Sequence, residues 1–236
     1  MEIDANRYEI KYLLSGAQRD ALVELLGRRM APDVFPQYLV QNFYYDTDGW
    51  DAARASLNQP AYKEKLRLRC YGVPAGGSEL HLELKRKYKG VVSKRRVSIS
   101  AGEYAPGRAG ALLAREDSQA AREMAFYLQR GPIREKAFLA YQRRAYVGIA
   151  RENLRVTLDT DIRFRPDRLD FLHPDAGLRV LPSDMAVLEV KTPDNMPLWL
   201  SRALSGARLY PVPYSKYGVC YIRYILQAPE RNISYA

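Results

Sequence analysis

Charged side chains that could hold phosphate groups recur at every second position along several segments of this sequence. Lys65, Arg67 and Arg69 alternate with apolar residues in one segment, and Lys85 and Lys87 do so in another. Alternation of this kind is typical of a β-strand with one apolar and one polar face. Because lysine and arginine bind phosphate oxygens through charge-assisted hydrogen bonds, these polar faces predict the binding of an anion.

The same polar faces carry carboxylates. Glu9 stands two residues before Lys11, and Glu189 stands two residues before Lys191. Repeated over many strands, this mixture has two interpretations. An open antiparallel sheet would expose the charged faces to solvent. A closed barrel would turn them inward and form a basic tunnel. The cations lining such a tunnel would repel one another, so it requires a polyanionic ligand or interior carboxylates.

The overall charge also points to an anionic partner. The 236 residues include 37 Lys and Arg against 27 Asp and Glu, a net charge of +10, which suggests nucleic acid, phosphate esters or an acidic membrane surface. Nucleic acid is the weaker candidate, because the sequence contains no helix-turn-helix, RNP-like strand or basic tail. No P-loop or GxGxxG motif is present, so side chains must hold any phosphates.

The residue types argue against nucleophilic catalysis and zinc binding. Cys70 and Cys220 lie far apart in apolar surroundings, as reduced core thiols do, and only two histidines accompany them. Any metal should therefore be a hard cation bound by carboxylates. No apolar run approaches the ~18 residues of a membrane span, and the acidic start does not resemble a secretory signal, which predicts a cytoplasmic protein.

These side chains must be positioned by strands whose apolar faces are covered by helices. The sequence predicts strands at residues 7–13, 38–45, 63–71, 79–87, 91–100, 138–150, 154–165 and 185–192. It predicts helices from the Ser15–Gln18 capping box to Pro32, and at residues 50–57, 112–130, 197–204 and 215–226. Because no repeat or long linker divides the chain, residues 1–236 are predicted to form one α+β domain with an antiparallel sheet of about eight strands.

Eight short motifs occur in the order found in one known family. They are Arg7-Tyr-Glu-Ile-Lys-Tyr12, Tyr44-Tyr-Asp-Thr47, Lys65-Leu-Arg-Leu-Arg-Cys-Tyr-Gly72, Leu82-Glu-Leu-Lys85, Tyr141-Gln-Arg-Arg-Ala-Tyr146, Arg155-Val-Thr-Leu-Asp-Thr160, Leu188-Glu-Val-Lys191 and Tyr214-Ser-Lys-Tyr217. Single pieces such as Glu-x-Lys are weak signals. The eight motifs in this order are specific, and they make nearly the whole chain resemble the VTC domain, the catalytic module of the vacuolar transporter chaperone complex. That family belongs to the triphosphate tunnel metalloenzymes, a CYTH-like superfamily.

The resemblance implies a fold and an activity. The implied fold is α+β, with an eight-stranded antiparallel β-barrel around a basic tunnel and helices packed on its outside. The implied activity is polyphosphate polymerase, which transfers the γ-phosphoryl group of ATP to a growing polyphosphate chain with Mn²⁺, or alternatively Mg²⁺. ATP and polyphosphate are the expected ligands and nucleic acid is not expected. Movement of product across a membrane would need a membrane-protein partner.

The resemblance and the strand alternation together nominate the site residues. The cations expected to act on the transferred phosphates are Lys11, Arg67, Arg69, Lys85, Arg143, Arg155 and Lys216. Further contacts with substrate are expected from Arg7, Lys65, Lys87, Arg96, Tyr141, Lys191 and Ser215. Glu189 is expected to bind the metal, and Glu9 is the weaker metal candidate because neighbouring cations could use it as a counter-ion.

Two positions depart from the family's patterns. Arg7 stands where the hydrolytic branch of the superfamily has the first carboxylate of Glu-x-Glu-x-Lys, which favours polymerisation. Pro213 stands where a basic residue often precedes the last lysine, so chain exit or processivity could differ. Hydrolysis of triphosphate or polyphosphate, and non-catalytic binding of polyanions, remain alternative functions.

Overall fold

The computed structural model describes residues 8–89, 91–149, 153–193 and 195–226. Its strands are β1 (Tyr8–Leu14), β2 (Met30–Asp46), β3 (Tyr62–Tyr71), β4 (Glu79–Tyr88), β5 (Val91–Ser100), β6 (Arg134–Gly148), β7 (Arg155–Arg165), β8 (Leu178–Arg179) and β9 (Ala186–Thr192). Its helices are α1 (Gly16–Arg29), α2 (Asp51–Asn58), α3 (Ala109–Leu113), α4 (Gln119–Gln129), α5 (Leu198–Gly206) and α6 (Lys216–Cys220). A π-helical turn at Tyr221–Ile225 continues α6.

The strands form one antiparallel sheet in the order β1-β9-β7-β6-β2-β3-β4-β5, with the short β8 paired to β7. This confirms the predicted antiparallel α+β architecture. The predicted barrel closure is not found in the hydrogen-bonded ladder, because among the described residues β1 and β5 are unpaired edges. The sheet is nevertheless strongly curled. Lys85 Nζ of β4 lies 3.1 Å from Glu9 Oε2 of β1, although five strands separate β4 from β1 in the sheet order.

Helices cover the convex, apolar face of this curled sheet. Leu66 of β3 and Leu82 of β4 pack with Met124 of α4, while Leu188 of β9 packs with Leu26 of α1. All five side chains are buried, and full burial of a residue of this size stabilises the fold by about 1.5–3 kcal/mol. The concave face, called the inner face below, therefore presents the polar side chains.

An aromatic cluster fixes α2 and α6 beside the inner face. The ring of Tyr44 in β2 stacks on that of Tyr217 in α6, with centroids 4.3 Å apart. The Tyr217 hydroxyl donates a hydrogen bond to the buried Asp46 carboxylate, which also accepts the backbone N–H of Ala52 in α2. Lys216, the residue before Tyr217, is thereby held next to the sheet.

Most boundaries follow the predicted pattern, and β2 is the clearest exception. It begins at Met30, directly after α1, whereas the aromatic-rich pattern predicted a start at Tyr38. The early part contains Pro32 and Pro36, which usually break strands, but the pairing with β6 shifts register between Pro32 and Gln37. A proline is tolerated at such a bulge because its missing N–H is not needed for the ladder.

One predicted helix is divided in the structure. The predicted helix over residues 112–130 is divided into α3 and α4, and the second begins at the predicted N-cap, Ser118, whose side chain accepts the backbone N–H of Ala121. None of the helices in the described ranges is both long enough and apolar enough to cross a membrane.

Candidate functional site

An arginine cluster on the inner face surrounds one buried carboxylate. Register places Arg67 of β3 and Arg96 of β5 on either side of Glu83 in β4. The Glu83 carboxylate accepts hydrogen bonds from Arg67 Nη2 at 2.8 Å and from Arg96 Nη2 at 2.6 Å, and Arg69 Nη1 lies 3.6 Å away. Burial alone would raise the pKa of Glu83, but Arg67 and Arg69 outweigh it and hold the pKa well below its usual range.

A second cluster joins β6, β7 and α6 around Asp159. Arg143 forms a two-pronged ion pair with this fully buried carboxylate at 2.7 and 2.8 Å, and Lys216 Nζ lies 2.6 Å from it. Burial would raise the pKa of Asp159, but the two cations lower it. The Lys216 ammonium also lies 4.8 Å from the ring centre of Tyr141.

Tyr141 connects the two clusters. Arg69 Nη2 donates to the Tyr141 hydroxyl at 3.4 Å, and Arg143 Cζ lies 5.2 Å from the ring centre. Burial tends to raise the pKa of Tyr141, but Arg143 and Arg69 outweigh burial and lower it. The hydroxyl therefore lies in a strongly positive environment, as the predicted phosphate contact requires.

The two predicted metal ligands lie on β1 and β9. Lys11 is paired in register with Glu189, and Glu9 with Lys191. Glu9 ion-pairs with Lys11 at 3.2 Å and with Lys85 at 3.1 Å, while Glu189 ion-pairs with Lys191 at 2.8 Å. The Glu189–Lys191 contact is a structural ion pair within the sheet. It engages Oε1 of Glu189 and leaves Oε2 as a second acceptor oxygen.

Both of these carboxylates are ionised near neutral pH. Burial and the neighbouring Glu189 charge raise the pKa of Glu9, but Lys85 and Lys11 lower it to about 2 overall. Burial also raises the pKa of Glu189, and Lys191 and Lys11 bring it well below its usual range. Ionised carboxylates are the form that binds hard cations.

The donor set suits a cation that is shared with phosphate. Across the described residues, no group of three or more His, Cys, Asp or Glu side chains is placed to hold a metal. Thr157 of β7 lies opposite Glu189 in register, and its buried Oγ1 has no hydrogen-bond partner there. Two carboxylates and a hydroxyl are donor types that hard divalent cations accept, and such cations take their remaining ligands from water or a bound anion.

Three further predicted site residues take no part in the contacts around Glu83 and Asp159, and a fourth lies outside the described residues. Arg155 Nη2 lies 2.8 Å from Asp33, so this cation is engaged by a carboxylate of the β2 bulge. Ser215 accepts the backbone N–H of Gly218 at 3.3 Å and is the N-cap of α6, a role that prediction did not assign to it. Arg7 lies outside the described residues, and Lys87 has no ion-pair partner within them.

The structure brings most of the predicted residues to one concave surface. Those on the inner face, or reaching it from α6, are Glu9, Lys11, Lys65, Arg67, Arg69, Lys85, Lys87, Arg96, Tyr141, Arg143, Arg155, Glu189, Lys191 and Lys216. Glu83 and Asp159 lie inside two of the motifs but were not nominated as site residues, and they are the counter-ions that hold the arginines. Their alternation with apolar residues was the available signal, but it could not identify their partners.

The lowered pKa of Glu9 predicts a loss of stability in acid. Because the folded pKa of about 2 lies below the usual value of 4.5 for a glutamate, its contribution to stability is present above pH 4.5 and is lost as the pH falls toward 2. With metal removed by chelation, the loss of unfolding free energy between about pH 6 and pH 3 should be smaller in Glu9→Gln by about 2 kcal/mol. Urea unfolding at each pH measures it, and an unchanged slope would contradict the ion pairing.

Comparison with known proteins gives one family and several distant structural similarities. A family model described as the VTC domain matches residues 6–224. No curated protein matches the chain. Among solved structures, a candidate adenylate cyclase from Vibrio parahaemolyticus has 13% identity and a TM-score of 0.45, with 91% of this chain and 97% of that chain covered.

Two other solved structures have similar extents of overlap. The Mediator head module of Schizosaccharomyces pombe has 11% identity and a TM-score of 0.46, with 94% of this chain and 95% of that chain covered. The triphosphatase of the Mimivirus capping enzyme has 8% identity and a TM-score of 0.40, with 87% of this chain and 90% of that chain covered. The identities are low in every case.

Proposed function

The chain belongs to the VTC domain family, and from this premise we propose that it is a polyphosphate polymerase, which transfers the γ-phosphoryl group of ATP to a growing polyphosphate chain. One observation carries the proposal: cations from β1, β3, β4, β6 and α6 converge on a single concave face. Such a surface can bind several phosphates at once. In this proposal's structural terms, the curled sheet would be the wall of a tunnel, in which side-chain contacts such as Lys85–Glu9 bridge the gap that strand pairing leaves open.

The internal counter-ions preorganise the cations. Glu83 holds Arg67, and Asp159 holds Arg143, each through two guanidinium hydrogen bonds. Phosphoryl transfer depends mainly on positioning the phosphates and stabilising their charge, without a protein nucleophile. Guanidinium groups that are already fixed need little reorganisation when charge develops on the transferred group. Their remaining N–H donors are free to contact phosphate oxygens.

The carboxylates on this face are poorly suited to activate water. A general base works best when its pKa lies near the operating pH, yet the pKa values of Glu9, Glu83, Asp159 and Glu189 are all lowered by neighbouring cations. Transfer to an anionic acceptor needs cations along the path of the chain, which the inner face provides. This contrast favours polymerisation over hydrolysis.

Glu189 and Glu9, together with the Thr157 hydroxyl, would hold the divalent cation, with Mn²⁺ proposed first and Mg²⁺ as the alternative. When bound, the cation neutralises charge on the phosphate oxygens of the substrate. Lys11 and Lys191 lie next to the same carboxylates. These two lysines would keep the substrate's phosphates near the carboxylates and reduce the repulsion between the phosphate and carboxylate charges.

We place the reaction in the cytoplasm, where ATP is available. Cys70 and Cys220 are both buried free thiols, as is usual in a reducing compartment. Transport of the product across a membrane would be the task of a membrane-protein partner.

Arg67→Gln is expected to weaken metal-free binding of tripolyphosphate by about tenfold or more, because a charge-assisted contact contributes about 1.5–3 kcal/mol. Glu83 retains Arg96 and Arg69, so the fold should persist. The matched control is Arg95→Gln, which removes the arginine that precedes Arg96 but contacts Glu123 instead. Calorimetry measures both variants. Equal affinity in Arg67→Gln and the wild type would contradict a phosphate site on the inner face.

The function itself is tested by incubating the protein with ATP and Mn²⁺ and separating orthophosphate from chains on a gel. Chains that a polyphosphatase digests, with ADP release matched to chain growth, are the expected products. Orthophosphate without chains would assign the protein to the triphosphate hydrolases. Tight polyphosphate binding without turnover of any nucleotide would leave a binding module.

A further inference from the structure

A polar hollow interrupts the apolar convex face of the sheet, beside α1. Gln142 and Arg144 of β6 lie on the face opposite to Arg143, because successive side chains of a strand alternate. Register places Gln37 of β2 opposite Arg144, and Thr160 of β7 opposite Gln142. These side chains line a cavity of about 210 Å³, which is called the back pocket below.

Residues of α1 and β7 complete the back pocket. Arg19, Asp20 and Val23 of α1 line it, and the buried Leu158 of β7 does so too. A concave site that combines an apolar part with a few convergent polar groups is the usual form of a small-molecule site. The volume is below the roughly 300–1,000 Å³ of pockets for drug-sized ligands. The back pocket therefore suits a small ion and is too small for a nucleotide or a polymer.

The polar side chains from the three strands keep hydrogen-bonding capacity that the protein does not use. Within the described residues, Gln37, Gln142, Arg144 and Thr160 form no side-chain hydrogen bond, and Arg144 forms no ion pair. Gln37 and Arg144 are exposed, while Gln142 and Thr160 are half-buried. A ligand from solvent can therefore reach an arginine fork, two amides and one hydroxyl at the same place.

The charges of the back pocket favour an anion. Arg19 Nε donates to the Asp20 carboxylate at 2.9 Å. This hydrogen bond lowers the pKa of Asp20, and the charge of Arg144 adds to the effect. Asp20 is thus ionised and has Arg19 as its counter-ion. Arg144 supplies a second positive charge, which no carboxylate in the described part of the chain contacts.

We infer that the back pocket binds one small oxyanion of the phosphate type, at a site separate from the inner face. The guanidinium fork of Arg144 matches two oxygens of a tetrahedral anion. The amide groups of Gln37 and Gln142 and the hydroxyl of Thr160 are neutral donors for the remaining oxygens. The inference goes beyond the proposed function and does not depend on it.

The back pocket lies directly behind one of the inner-face ion pairs. Gln142 and Arg144 flank Arg143 in β6, and Thr160 follows Asp159 in β7. Arg143 and Asp159 contact each other on the opposite side of the same two strands. An anion in the back pocket would therefore be separated from the inner face by the thickness of the sheet, so the two sites can be probed independently.

The test titrates orthophosphate into isotope-labelled protein at constant ionic strength, after the inner face has been saturated with tripolyphosphate, and follows backbone amides by NMR. The amides of Gln142, Arg144 and Thr160 should shift and reach saturation. Arg144→Gln should weaken this binding about tenfold or more, as the loss of a charge-assisted contact does. Thr160→Val, which removes one neutral donor, should weaken it about threefold to tenfold.

Two control variants keep the arginine count equal to that of Arg144→Gln. Arg202→Gln removes an exposed arginine of α5 that does not line the back pocket. Arg67→Gln removes an arginine of the inner face. Both should bind orthophosphate at the back pocket within about twofold of the wild type.

Other outcomes would overturn the inference. Unchanged affinity in Arg144→Gln would do so, as would shifts that grow without saturation and equally with chloride. Equal losses in Arg67→Gln and Arg144→Gln would assign the anion to the inner face, and saturation by acetate alone would exclude a phosphate-type ligand. If tripolyphosphate shifts no inner-face amide in the wild type, the proposed function is contradicted, while the orthophosphate titration still tests the back pocket.

Discussion

Glu189→Gln is expected to reduce Mn²⁺-dependent turnover of ATP by about 100-fold or more, the size of effect seen when a preorganised charge is removed from an active site. Glu189 is the buried, ionised carboxylate on β9, opposite Thr157, whose hydroxyl has no hydrogen-bond partner in the part of the chain that the structure describes. Gln has the same shape and can still accept a hydrogen bond from Lys191. The fold should therefore survive, and the loss should lie in kcat and in Mn²⁺ affinity.

Substrate binding should respond in the opposite direction. Loss of a negative charge beside Lys11 and Lys191 leaves a more positive surface. Metal-free affinity for tripolyphosphate should consequently be unchanged or higher in Glu189→Gln. A variant that loses turnover but retains this affinity has lost metal binding and not the anion-binding surface of the inner face.

Glu64→Gln is the matched control. Glu64 is another glutamate with a largely buried side chain, and it pairs with Arg86 at 2.7 Å. Both residues lie on the face of the sheet opposite to the inner face. This change should lower stability and leave Mn²⁺ dependence intact. Wild-type activity and manganese dependence in Glu189→Gln would eliminate the metal role, and equal losses of activity in both variants would indicate a structural effect.

Local patterns account for the parts of the fold that could be predicted. The limits of β5, residues 91–100, follow from alternation and flanking turn residues, and the Ser15 capping box and the Ser118 N-cap begin α1 and α4 as predicted. The inner-face positions of Arg67 and Arg69 follow from the same alternation, since side chains two apart in a strand share a face. Each of these features depends on neighbours in sequence.

Long-range register accounts for what could not be predicted. Arg143 meets Asp159 because β6 and β7 pair in one particular register, and a bulge between Ala140 and Gln142 shifts that register. Alternation assigns a residue to a face but does not choose its partner on another strand. The missing ladder between β1 and β5 is a further example, because the curl of a sheet depends on helices packed far away in sequence.

Ser215 illustrates a different limit. The motif Tyr214-Ser-Lys-Tyr217 nominated its hydroxyl for phosphate, but Ser215 also begins a helix, and an N-cap serine accepts a backbone N–H. The hydroxyl hydrogen remains available as a donor. One residue type therefore fits two roles that the sequence alone does not separate.

Lys216→Ala is expected to slow chain elongation by about tenfold while changing ATP affinity by less than about threefold, because a lost charge-assisted contact of about 1.5 kcal/mol corresponds to that factor. Lys216 reaches the inner face from α6 and contacts Asp159 and the Tyr141 ring. Arg143 still neutralises Asp159 in this variant, so the carboxylate is not left unpaired. The lost cation would have guided an anionic acceptor.

A control variant and an analysis of the products show whether slower elongation in Lys216→Ala comes from the loss of an acceptor contact. Lys136→Ala removes a lysine with an equivalent environment, an ion pair with Asp48 and a position 5.2 Å from the Trp50 ring centre, but outside the proposed tunnel. It should leave elongation unchanged, and Lys216→Arg should restore part of it. If the protein is a polymerase, Lys216→Ala should make shorter polyphosphate chains while its ATP binding persists. If ATP affinity and elongation fall together, Lys216 belongs to the nucleotide site, and if Lys216→Ala elongates normally, the acceptor does not pass α6.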